Sequence, residues 1–98
     1  MSRDEDAAQA IASAARRRLS DAAILDIRVI PEEDHIGEPA FSVLIDLNDQ
    51  RFRPSGVDFI ELVTAMRDAL QDLGDARFPY VSISAPGDEQ AEDTRSAA

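Results

Sequence analysis

In Ala40-Phe41-Ser42-Val43-Leu44-Ile45-Asp46-Leu47, bulky apolar side chains occupy every second position: Phe41, Val43, Ile45 and Leu47. Successive side chains of a β-strand point to opposite faces, so this two-residue period predicts a strand with one buried face. The connecting loop Asp49-Gln50-Arg51-Phe52-Arg53-Pro54 follows, and then the period changes. Ser55 is a residue type that caps helix N-termini, and Asp58 three residues on completes a capping-box-like pair. Phe59, Leu62, Val63, Met66, Ala69, Leu70 and Leu73 recur at i, i+3, i+4 and i+7, the stripe of a helix packed on a core. Gly74 then stands where a left-handed residue ends a helix. Over Phe78–Ser84 the alternation returns, with Val81 and Ile83 on one face and Tyr80, Ser82 and Ser84 on the other. Pro79 near its start fits an edge strand. Strand, helix and strand in this order make a βαβ unit, whose right-handed crossover leaves the two strands parallel.

Upstream, Ile24–Ile30 predicts a further strand, with Leu25, Ile27 and Val29 on one face and Asp26 and Arg28 on the other. Pro31 is expected to stop it. The segment between Pro31 and Pro39 is too long for a tight hairpin, yet an antiparallel return fits. Before it, Ala8, Ile11, Ala12, Ala15 and Leu19 form a thin helical stripe. Ser2 is its predicted cap, with Glu5 at the capping-box position. Asp4, Glu5 and Asp6 fill the first turn and Arg16, Arg17 and Arg18 the last, each complementing the helix dipole. The order α-β-β-α-β predicts an α+β fold, a two-layer sandwich of a three-stranded mixed sheet with both helices on one face. The strand order stays open between 1-2-3 and an arrangement with the first strand in the middle. Residues 1–86 read as a single domain, and residues 87–98, without a large apolar side chain, as a disordered acidic tail.

Composition narrows the chemistry. The chain has 98 residues, enough for one modest core and too few for two. Twenty acids against ten bases give a formal net charge of −10, which argues against nucleic-acid binding by phosphate neutralisation. Residues 1–6 carry a net −2 and residues 86–98 a net −3, so half of the excess lies in the chain ends. Every base is arginine, which excludes a lysine Schiff base or a phosphate-loop lysine. Without cysteine there is no disulfide, thiol chemistry or cysteine zinc site. No apolar run approaches the ~20 residues of a membrane span. Met1–Asp6 is acidic and lacks an apolar signal-peptide region, so the expected location is cytoplasmic.

Four constellations were weighed as sites. Asp46–Asp49 with Gly56–Glu61 evokes a calcium loop, but no register puts oxygen ligands at positions 1, 3 and 5, glycine at 6 and glutamate at 12. Glu32, Glu33, Asp34 and Glu38 surround His35, the sole histidine, at a spacing that matches no zinc ligand set; a solvated loop is the expected reading, and no metal is assigned. A serine triad would depend on His35, and Ser82 and Ser84 show ordinary strand polarity. Arg51 and Arg53, with the helix start at Ser55, form a weak candidate anion site.

The strongest candidate is the sheet face turned from the helices. With Leu25, Ile27, Val29, Phe41, Val43, Ile45, Val81 and Ile83 directed at the core, that face carries Ile24, Ile30, Leu44 and Tyr80 among Asp26, Arg28, Ser42, Asp46, Ser82 and Ser84. An apolar centre with a polar rim suits a contact surface. The chain is therefore expected to be a small non-enzymatic domain that binds a protein partner or a second copy through this face. It is expected to have no cofactor, nucleic acid or membrane association. A small-anion or nucleotide sensor at Arg51, Arg53 and Ser55 is the alternative.

Overall fold

A computed structural model describes residues 3–87. The elements run α1 (Arg3–Arg18), β1 (Ile24–Glu33), β2 (Pro39–Leu47), α2 (Gly56–Asp72) and β3 (Phe78–Ser84), with single 3₁₀ turns at Asp21–Ala23 and Gln50–Phe52. The Ser2 cap and residues 88–98 lie outside the described residues. The sheet order is β1-β2-β3, which settles the question left open by the sequence. β1 pairs with β2 antiparallel, and β2 pairs with β3 parallel across the α2 crossover.

β2 is the centre of the molecule. Phe41, Val43, Ile45 and Leu47 are buried and belong to one cluster with Ile11 of α1, Leu19 just beyond it, and Leu62, Met66 and Leu70 of α2. Each large apolar side chain removed from water in this way contributes roughly 1.5–3 kcal/mol before chain entropy is counted.

α2 is built as its sequence predicts. Ser55 is the N-cap, and its hydroxyl accepts from the Asp58 amide at 3.2 Å. At the other end Gly74 has φ +74°, its amide donates to the Gln71 carbonyl, and the Asp75 amide reaches back to the Leu70 carbonyl at 2.9 Å. Those two bonds form a Schellman cap, which a residue without a Cβ adopts most readily. The expected stripe needs three corrections, the first at Phe59, which is only half-buried and outside the core cluster. Val63 is only half-buried, at the margin beside Leu62. Leu73 is 49% exposed: it is the C-cap, where the last turn tightens onto the Leu70 carbonyl and carries its side chain off the stripe.

In α1 the buried positions are Ala7, Ile11, Ala14 and Ala15, not Ala8 and Ala12. Ile11 is the one bulky apolar side chain in this alanine-rich helix and Leu19 follows its last turn, so the apolar pattern scarcely fixes its rotation.

β1 departs most from expectation. Its register with β2 shifts between Ile24, opposite Leu47, and Asp26, opposite Asp46. Leu25 is the extra residue of a β-bulge, which inserts one side chain and resets the alternation. Ile24, Ile27 and Val29 consequently pack against the core, while Leu25 is 68% exposed. Nor does Pro31 end the strand. It pairs opposite Phe41, and β1 continues to Glu33. An edge strand has one side without a ladder, where a missing N–H costs nothing. The hairpin loop thus shrinks to Asp34–Glu38. The Asp34 amide donates to the Glu38 carbonyl at 2.9 Å, and Gly37 turns the chain at φ +85°.

Candidate functional site

The face of the sheet opposite Phe41, Val43, Ile45 and Leu47 is ordered in cross-strand rows. From the hairpin end these are Glu32–Ala40–Phe78, Ile30–Ser42–Tyr80, Arg28–Leu44–Ser82 and Asp26–Asp46–Ser84. Ile30 and Tyr80 are exposed, and Leu44 is half-buried between Arg28 and Ser82. Ile24, expected here, is not on this face: the bulge puts it opposite Leu47 and against the core. Phe78 belongs to the face through the alternation that places Tyr80, and its ring lies 4.8 Å from that of Tyr80. Among the described residues eight large apolar side chains are exposed. Three of them, Ile30, Phe78 and Tyr80, lie on this face; Leu25 is the bulge residue, Ile36 sits in the hairpin turn, and Val57, Ile60 and Leu73 belong to α2 and its C-cap.

Polar contacts hold both ends of the face. The Tyr80 hydroxyl donates to Asp34 Oδ2 at 3.3 Å, tying β3 to the hairpin. Asp34 Oδ1 accepts from the amides of Ile36 and Glu38, each at 3.0 Å. The Glu38 amide above all, with the Ile36 amide, Tyr80 and His35, holds the Asp34 carboxyl below its ordinary range against the opposing effect of desolvation. Partial burial, with the Asp34 charge, pushes the Tyr80 phenol up. At the far end Ser84 Oγ donates to Asp46 Oδ1 at 2.6 Å, and Arg28 lies 3.5 Å from Asp26 and 4.0 Å from Asp46. Ser82 and Ser84 thus stand toward the opposite end of β2 from His35 in the hairpin.

The acidic loop around His35 works as a turn. The Asp34 carboxylate is engaged by two amides and a phenol, and His35, Glu32, Glu33 and Glu38 are exposed. Among the described residues no three His, Asp or Glu side chains come together as a cation site.

Two of the three candidate anion residues come together, and Ser55 does not line their cleft. Arg51 and Arg53 line a cleft of about 370 Å³ that also takes in Arg18, Asp58 and Glu61. Each functional group has a neighbour there. Arg18 pairs with Glu61 at 3.2 Å and Arg51 with Asp49 at 3.7 Å. Arg53 donates to Gln50 at 3.3 Å and to the Ile83 carbonyl at 3.4 Å, and the Ser55 hydroxyl is engaged as the α2 cap.

Besides the Asp34–Tyr80 tie, sequence reading missed a second cluster. Asp75 is buried, and Arg77 grips it through Nε at 3.0 Å and Nη2 at 2.6 Å. Arg77 also donates to Asp4 of α1 at 2.7 Å, and its guanidinium lies 4.1 Å above the Phe41 ring. Its hydrogen bonds to Asp75 hold that carboxyl below its usual range. The only signal was an Asp and an Arg two residues apart beyond the Gly74 helix stop.

No described helix is long and apolar enough to cross a membrane. Comparisons with protein-family models, with curated proteins and with solved structures give no match to the chain.

Proposed function

We propose that this chain is a small non-enzymatic domain that works by protein contact through the sheet face bearing Ile30, Leu44 and Tyr80. The observation that carries the reading is that Ile30, Phe78 and Tyr80 are exposed on that face beside the half-buried Leu44, between the carboxylates of Asp26 and Asp46 at one end and Glu32 at the other. Apolar centres rimmed by polar groups are the anatomy of contact surfaces. Phe78 and Tyr80 add aromatic area, the kind that dominates interface energetics. A sensor at Arg51, Arg53 and Ser55 has less support, since carboxylates share the cleft and the Ser55 hydroxyl serves the helix.

The test is fluorescence-detected sedimentation velocity of the labelled chain in extract of its source cells. The wild type is expected to sediment as a species larger than its own 10.7 kDa. Leu44→Lys and Ile30→Lys should return it to the monomer with unchanged circular dichroism, and Val57→Lys on α2 should not. Sedimentation as a monomer throughout, or equal loss with Val57→Lys, contradicts the proposal.

A further inference from the structure

Resting on that contact reading, we infer that the occupant of this face is a basic protein segment with an apolar middle, not a second copy of the chain. The charges bordering the face carry the inference. Asp26 and Asp46 share its far row, while Glu32 lies in the row beside the hairpin, which adds Asp34 and Glu38. Against these five carboxylates stand Arg28 and Arg67, with Arg53 donating to the Ile83 carbonyl of β3 and His35 in the hairpin. Glu32 and Glu38 are exposed, while Asp34 is held by the turn amides and the Tyr80 hydroxyl, and Asp46 by Ser84. Arg28 lies between Asp26 and Asp46, and Arg67 reaches over the Phe78 ring at 5.4 Å. The apolar middle, Ile30, Leu44 and Tyr80, is therefore bracketed by negative charge at both ends.

A second copy would bring the same carboxylates to the same rim, on a chain of formal net charge −10. Complementary potentials select partners and like charges reject them. A partner with arginine or lysine at both ends of a short apolar stretch meets each feature of the face. The two acidic ends are separated by six residues of β2, from Ala40 to Asp46. At ~3.3 Å per residue of strand they lie about 20 Å apart. At 1.5 Å per residue a helix spans that distance in roughly 13 residues.

The test uses the full chain with labelled methyl groups and three synthetic 14-residue peptides. The first has two arginines at each end and a leucine-bearing middle. The second replaces the arginines by glutamates, and the third replaces the leucines by serines. The arginine–leucine peptide is expected to shift the Ile30 and Leu44 methyls and the Tyr80 ring, and to lose its effect in Leu44→Lys and Ile30→Lys. Glu32→Gln with Glu38→Gln should weaken it by roughly two- to five-fold at low salt, the range of exposed charge pairs. The glutamate and serine peptides should leave those signals in place. Equal shifts from the glutamate peptide, or shifts confined to other acidic surfaces, overturn the inference. Sedimentation of the chain alone separates the two levels. A dimer dissolved by Leu44→Lys keeps the contact reading and overturns the basic partner. A monomer whose Ile30 and Leu44 no peptide shifts counts against both.

Discussion

Arg77 joins three parts of the chain through one guanidinium: the start of α1 at Asp4, the loop after α2 at Asp75, and the core ring of Phe41. Asp75 is the only buried charged residue described, and removing its charge leaves Arg77 stacked over Phe41 with half its partners. Asp75→Asn is expected to cost about 2–3 kcal/mol in urea unfolding, the range of a charge-assisted hydrogen bond in a largely buried pair. The sign of the pH effect follows from the lowered folded-state pKa. The Asp75 contribution is complete above the ordinary carboxylate value of 3.8 and is lost as pH falls through the lower folded value. Wild type and Asp75→Asn should therefore converge in stability on acidification; a constant gap down to strongly acid pH contradicts the pair. Asp34 titrates in the same direction, so the Ile36 and Glu38 amide signals should both move with a midpoint below 3.8. Neither cluster was legible in the sequence. Periodicity reports which way a side chain faces within an element, whereas Asp75–Arg77 and Asp34–Tyr80 join loops to distant elements. Ile30, Leu44 and Tyr80 were legible, because alternation alone assigns their side of the sheet.

At the scale of elements, β2, α2 and β3 follow from their periods, because each has several bulky residues in phase and a clear stop. β1 and α1 do not. One inserted residue at Leu25 reverses every assignment before it, and no single sequence shows whether a strand carries a bulge. In α1 every apolar residue but Ile11 is alanine, which leaves the phase to Ile11 and to Leu19 just beyond the helix. The bulge has a direct consequence. Leu25→Ser should change stability by less than about 0.5 kcal/mol, as at an exposed site, whereas Ile27→Ala should cost about 1–3 kcal/mol. Similar losses at both positions would restore an unbulged strand. Gly74→Ala meets no steric neighbour, yet φ +74° remains. Its expected cost is about 1–2 kcal/mol, from backbone conformation alone.

For the whole molecule, one cluster centred on β2 carries both helices, so Ile45→Ala is expected to cost on the order of 2–5 kcal/mol. Against the ~5–15 kcal/mol of a typical domain, that substitution alone brings the fold near its limit. The small core leaves apolar side chains outside it, and Ile30, Phe78 and Tyr80 among them share the sheet face with the half-buried Leu44. Protein contact through that face is the central claim, and site-specific photocrosslinking tests it most directly. A benzoylphenylalanine at Ser82, exposed opposite Leu44, is compared in source cells with one at Glu5, exposed on α1. A contact face predicts a discrete crosslinked protein from position 82, absent from position 5 and lost when Leu44→Lys is added. No product at position 82, or the same products at both positions, would contradict it.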